Sequence, residues 1–196
     1  APLILVATQP DLGTALLIAA GGLTVAWLAG VRVKFFAISG IAFLALLPIA
    51  ISFLKPYQKS RILTFLDPSR DPLGAGYQIT QSKIAIGSGG FFGKGFLNGS
   101  QSYLDYLPEK HTDFIFTLFS EEFGFFGSST VLALYVVMTM RIVSIGNSVR
   151  DTFSKLYCYS FATAFFIYVA VNMCMVLGLI PIVGAPLPIL SYGGSS

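Results

Sequence analysis

The stretch "LPEKHTDFIF", residues 107–116, gathers Glu109, Lys110, His111, Thr112 and Asp113 directly before an apolar run, and His111 is the single histidine in the chain. If that turn is helical, Glu109, Asp113 and Thr117 share a face at i, i+4 and i+8. Two carboxylates in one partly dry site push one pKa upward, which suits a general base near neutral pH. A lone histidine among carboxylates is a weak transition-metal signature. Carboxylates that hold magnesium through substrate phosphates fit these residue types better. Capping competes with both ideas, because Pro108 with Glu109, or Thr112 with Asp113, are ordinary helix-start residues. Capping accounts for one carboxylate and leaves Glu109, Lys110 and His111 unexplained.

The elements that must position this cluster are apolar. Soluble domains carry about 25% charged residues, whereas this chain of 196 residues carries 11%, with 55% hydrophobic residues and a mean hydropathy of +0.77. The deficit runs along the whole chain, so the expected fold is all-α, a polytopic transmembrane helical bundle in contact with membrane lipid. A net charge of +3 is small, and no nucleic-acid partner is expected. Cys158 and Cys174 lie sixteen residues apart in one apolar run. On a helix that is about 24 Å, beyond the about 7 Å limit for a disulfide, so they read as buried thiols. The opening "APLILVA" has no basic region or cleavage pattern and resembles the tail of an earlier apolar segment, so a fragment of a longer protein is expected.

A membrane helix needs about 20 apolar residues. Residues 12–31, 35–54, 114–140 and 156–181 meet that length, and no charge follows Lys155. Arg32 and Lys34 sit between the first two spans; Arg141, Arg150 and Lys155 sit between the last two. Both short basic loops read as cytoplasmic, which places residues 55–113 outside as a large extracytoplasmic segment of a single membrane domain. That segment holds seven lysines and arginines in 59 residues, against the charge rule but near the length where the rule fades. It is too long for a bare connection and too rich in Ile, Leu, Phe and Tyr for disorder. Within it "GYQITQSKIAI" suits a short interfacial helix with Tyr77 and Ile84 on one face, an ordered loop being the alternative.

"GSGGFFGKG" (87–95) fails the phosphate-loop spacing, because Ser88 and Gly95 stand where the motif needs Gly and Ser or Thr. It reads as a glycine-rich turn permitting unusual backbone angles or close helix approach. A weaker reading has its amides, with Lys83 and Lys94, meeting an anionic head group. Asp11, in "QPDLGT", is a dipole-friendly helix start. "GLIPIVGAPLPILSYGGSS" (178–196) is too rich in Pro and Gly for a helix. Irregular backbone near membrane depth survives when packed in protein or lining a wet cavity. Ser191 is thus a candidate for a cavity wall, with tight turn formation as the alternative. Glu121 and Glu122 would lie about 12 Å beyond Asp113 along a continuous helix. They are either functional ionisable groups or a buried pair with a basic partner.

"QPDLGTALL", "DPLGAGYQITQSKIAIGSGGFFGKG", "YLPEKHTDFIF" and "GAPLPILSYGGSS", in this order across the whole chain, resemble the SEDS family (shape, elongation, division, sporulation; RodA, FtsW and SpoVE). "SKIAIGSGGFFGKG" is more similar to the RodA branch than to FtsW. The resemblance implies a protein of about ten spans, of which this chain matches the second half without the last helix. It also implies a peptidoglycan glycosyltransferase polymerising lipid II outside the bacterial cytoplasmic membrane, with a class B penicillin-binding protein as partner. The aspartate of "HTDF", regarded as catalytic in the family, is Asp113, with Glu109, Lys110, His111 and Thr112 around it. In that chemistry the acceptor hydroxyl attacks the anomeric carbon, a carboxylate takes its proton, and polyprenyl pyrophosphate leaves. Cations must meet the pyrophosphate: Arg61, Arg70, Lys83 and Lys94 are candidates, as is a divalent ion such as magnesium or manganese. Two other classes compete. A lipid II flippase would favour polar groups spread through membrane depth, whereas the charges here cluster at one edge. A noncatalytic scaffold for the transpeptidase would tolerate neutralisation of the cluster.

Overall fold

The computed structural model describes residues 12–52, 59–60, 63–65, 67, 71, 74–99 and 112–192. Among these residues the regular structure is helical, with no strand. The helices named here are α1 (Leu12–Leu28), α2 (Val33–Ser52), α3 (Ala75–Gly89), α4 (Ile115–Ser148) and α5 (Thr152–Val176). By length and composition α4 and α5 can cross a membrane, and shorter apolar runs lie in α1 and α2.

The expected apolar runs at 12–31 and 35–54 fall on α1 and α2. α1 lies against α5, where Gly21 and Gly22 form a cleft with Tyr157, Phe161 and Ala164. α2 leaves Phe35, Ile38, Ile41 and Leu44 exposed, and at steps of three these side chains wind half way round the helix. An apolar surface this broad suits lipid or further helices.

α4 and α5 form an antiparallel pair. The rings of Tyr135 and Phe165 are 5.7 Å apart, and a Cβ built on Gly146 would lie 2.9 Å from Cys158 Cβ. Moving forward on one helix is therefore moving back on the other. Arg141 and Lys155, expected in a loop, are helical, and the connection shrinks to residues 149–151. The cause is local: Asp151 caps α5 at once, accepting from Ser154 N–H and Ser154 Oγ, each at 2.9 Å. The Ser154 backbone bond, then its hydroxyl, holds the Asp151 carboxyl below its ordinary pKa. A lowered folded-state pKa means this cap stabilises above the ordinary carboxylate range and is lost as pH falls through the lowered value.

α5 ends at Val176, five residues before the expected boundary. Gly178, at φ +67°, takes the left-handed conformation, and Leu179 N–H closes the end on Cys174 O at 2.7 Å. Glycine is the residue that ends helices this way without strain. Both cysteines are free and half-buried, less enclosed than expected.

α3 is a helix inside the long segment, with one face turned onto the protein. Ile79, Ser82, Ala85 and Gly89 face inward onto α4 and α5. Ile84 is 51% exposed. The register follows the small residues, which allow close helix approach.

The continuous third run predicted over 114–140 is broken. Gly124, at φ 65° and ψ −162°, interrupts α4. Eight residues of straight helix rise about 12 Å, yet Ser120 Oγ and Ser128 Oγ lie 2.9 Å apart. The two halves, 115–123 and 125–148, therefore meet at a sharp bend. Asn172 bonds the carbonyl of Asp113, and Ser82 joins Thr117 to Val176. The first half thus runs in the same sense as α5, and the second half returns against it. Glu121 and Glu122 keep the expected spacing of about two turns beyond Asp113, since residues 115–123 are helical, and that half points toward the C-terminal end of α5.

Candidate active site

The bend leaves carbonyls at the end of one half-helix and N–H groups at the start of the next without intrahelical partners. The glycine-rich turn supplies them. Lys94 N–H and Gly95 N–H donate to Glu121 O and Glu122 O, each at 3.0 Å, while Phe125 N–H and Phe126 N–H donate to Gly90 O (2.8 Å) and Phe91 O (3.1 Å). Backbone must touch backbone for this. A Cβ on Gly89 would collide with Ser120 O, one on Gly93 with Glu122 O, and one on Gly124 with Gly93 N. The turn is therefore a structural splint. Its amides at residues 93–95 all donate within the protein, so the anionic head-group reading loses these donors.

Lys94 seals the splint. Its Nζ lies 2.6 Å from Glu121 Oε1, and Glu121 is fully buried. Of the two readings for Glu121, the buried pair with a basic partner is the one formed, and Lys94 serves it. Lys94→Met would take the cation away from a buried carboxylate, a change that costs up to about 3–5 kcal/mol in buried pairs. We expect its thermal midpoint to fall further than that of Lys94→Met/Glu121→Gln, measured on detergent-purified protein. Equal midpoints would mean that the pair contributes nothing.

Asp113 sits in a turn, Thr112–Phe114, before α4 begins at Ile115. The expectation that Thr112 or Asp113 caps the helix is not met. Phe114 is the N-cap, no side chain caps the end, and the Phe114 ring is 1% exposed in the core. Asp113 precedes the helix that carries Thr117, whose hydroxyl meets Ser82 Oγ at 2.8 Å, and Glu109 lies outside the described residues. Asp113 turns instead toward the irregular segment after α5: a Cβ on Gly184 would lie 3.6 Å from Asp113 Oδ2.

That segment is folded back onto the helices. Tyr135 donates to Pro188 O at 2.5 Å, and Leu187 is fully buried. Ser191 Oγ accepts from Leu187 N–H and donates to Thr112 O, both at 2.7 Å. Being 5% exposed, Ser191 serves a tight turn and not an open cavity wall. Asn172, on α5, donates to Asp113 O at 2.9 Å and to Ala185 O at 2.6 Å. Its Oδ1 is buried without a hydrogen-bond partner.

Lys83 is exposed, and its Nζ would lie 2.8 Å from a Cβ on Gly178. A cation is thereby set at the negative end of the α5 dipole. Glu109, Lys110, His111, Arg61, Arg70 and Asp11 lie outside the described residues. Among the described residues, no three His, Cys, Asp or Glu side chains gather as metal ligands.

Sequence reasoning did not find Asn172, although one amide in the apolar run "YVAVNMCMV" is a legible signal. Gly124 was also missed, hidden in a strongly apolar stretch.

A family model described as "Cell cycle protein", covering FtsW, RodA and SpoVE, matches residues 1–196. The chain is 48% identical over 196 residues to "Peptidoglycan glycosyltransferase MrdB" of Escherichia coli K12, covering 100% of this chain and 53% of that protein. It is 49% identical over 143 residues to "Peptidoglycan glycosyltransferase RodA" of Treponema pallidum, covering 73% of this chain and 33% of the relative. A solved chain from a structure on the coordination of polymerization and crosslinking by a peptidoglycan synthase complex superimposes with a TM-score of 0.79 at 34% identity, covering 98% of this chain and 53% of that one. The chain thus spans about half the length of the relatives it matches most fully.

Proposed function

The chain belongs to the FtsW/RodA/SpoVE family of cell cycle proteins, and from that premise we propose that it carries the reaction centre of a membrane peptidoglycan glycosyltransferase polymerising lipid II. The observation that carries this reading is Asp113. Its carboxylate is not the helix cap, and it lies against Gly184, where the re-folded segment after α5 meets the start of α4.

In this reading Asp113 accepts the proton of the acceptor sugar's hydroxyl as that oxygen bonds to the donor's anomeric carbon. The bond to polyprenyl pyrophosphate breaks on the opposite face. Lys83, with Arg61 and Arg70 from the long segment, neutralises the departing pyrophosphate. Magnesium suits a site of one carboxylate plus substrate phosphates. The alternative role for Asp113 is to hold such an ion instead of taking the proton, and the ion would then supply charge neutralisation. Glu109, Lys110 and His111 precede the base in the sequence, and a second carboxylate brought close to it would favour its protonated form. The partner is a class B penicillin-binding protein that crosslinks the strands.

The reading also assigns sides. Four spans cross the bacterial cytoplasmic membrane, with residues 31–34 and 141–155 cytoplasmic and 55–113 outside, as the basic short loops support. A cysteine at Ser102 should react with an impermeant maleimide on intact cells and one at Asn147 should not; the reverse pattern overturns the assignment. The activity is tested with full-length protein in liposomes carrying fluorescent lipid II in both leaflets. Conversion of lipid II into strands supports the proposal. Movement of intact lipid II between leaflets without strands would instead favour transport.

A further inference from the structure

Asp113 has one backbone neighbour on each side, and both flanking peptide planes are tied. The carbonyl of Thr112, in the plane before its Cα, receives Ser191 Oγ at 2.7 Å. The carbonyl of Asp113, in the plane after it, receives Asn172 Nδ2 at 2.9 Å. Because φ and ψ are the two soft backbone dihedrals of a residue, holding both planes fixes the direction of the Asp113 Cα–Cβ bond. The carboxylate then keeps only side-chain torsions, and Gly184 bounds it on one side.

The two ties converge on one segment. Asn172 donates its second proton to Ala185 O at 2.6 Å, and Ser191 belongs to the same stretch. Asn172 is fully buried and keeps an unpartnered Oδ1. A buried orphan oxygen is a standing penalty, tolerated where a geometry is over-determined. Neither tie is needed to form a helix, since α5 bonds its own backbone and α4 starts at Phe114.

We propose that Asn172 and Ser191 are positioning residues for Asp113: a two-point staple that aims its carboxylate by holding the Thr112 and Asp113 carbonyls to the 184–191 segment. The inference rests on the reading of Asp113 as the general base. Misplacing a reacting group by about 1 Å costs up to about 100-fold in rate. Losing aim should therefore lower turnover without weakening substrate binding.

The test uses full-length Ser191→Ala, Asn172→Ala and Asp113→Asn with lipid II, measuring kcat per folded molecule, KM and thermal midpoint. The staple predicts that kcat falls about 10- to 100-fold in Ser191→Ala and Asn172→Ala with KM within about twofold. Lower midpoints with wild-type kcat per folded molecule would make both residues merely structural and overturn the proposal. If Asn172→Ala does not accumulate, Ser191→Ala decides, since it deletes a single hydroxyl. Asp113→Asn separates the two levels: full activity there overturns the general base and the staple with it. An inactive Asp113→Asn beside fully active Ser191→Ala and Asn172→Ala overturns the staple alone.

Discussion

Asp113→Asn should polymerise lipid II about 10²–10⁴-fold more slowly than the wild type, the range that general-base assistance supplies, while folding and membrane insertion stay unchanged. The substitution keeps the side-chain shape and removes both charge and basicity. Folding should survive because the start of α4 does not use a side-chain cap, and the ties at residues 112 and 113 reach backbone carbonyls. Lipid II binding and association with the transpeptidase should persist, so the loss should appear in kcat. Near-normal kcat in well-folded Asp113→Asn would remove Asp113 from the chemistry. Loss of the protein from the membrane would show instead that its carboxylate serves the fold.

The second large effect is on stability. Gly124→Ala should cost about 3–5 kcal/mol, a major part of the about 5–15 kcal/mol that keeps a domain folded. Two causes act together. Gly124 has φ 65° and ψ −162°, a region that essentially only glycine populates. A Cβ there would also strike Gly93 N and lie 2.8 Å from the carbonyl carbon and oxygen of Phe91, backbone atoms that cannot move without opening the splint. Gly87→Ala is the matched control. Gly87 lies in α3 with nothing within 4 Å of a built Cβ, so alanine should gain up to about 1 kcal/mol of helix propensity. Thermal midpoints in detergent should separate widely, Gly124→Ala far below the wild type and Gly87→Ala at or above it. Similar midpoints would mean that the bend does not need glycine.

What could be read from the sequence depended on whether a signal was local. Apolar length alone located the helices, and the Pro- and Gly-rich stretch after α5 was recognisably non-helical because its residues forbid a helix wherever they sit. The turn at 87–95 was correctly read as a glycine device, yet its partner was invisible. Phe123, Phe125 and Phe126 flank Gly124, and no local signal places the break at Gly124 rather than at Gly127 or the Ser128–Ser129 pair. The interruption is stabilised by hydrogen bonds from about 30 residues away in sequence. The break falls after Glu121, so the expected spacing of Glu121 from Asp113 stands and only the course of the chain beyond it differs. Asp113 stands out in the sequence because titratable residues are concentrated just before it. Asn172 and Gly184 do not stand out, because their contacts join segments that no periodicity brings together. The reach of Lys83 toward Gly178 and the closure of Ser191 on Thr112 are likewise tertiary facts.

The central claim is that this membrane fold builds a polymerase centred on Asp113. Its most direct test is product analysis: purified full-length protein, with its transpeptidase partner rendered inactive, is incubated with labelled lipid II and the products are separated by length. The account predicts a ladder of glycan strands from the wild type and unreacted lipid II from Asp113→Asn. Unreacted lipid II from a well-folded wild-type complex, or equal ladders from both proteins, would contradict it.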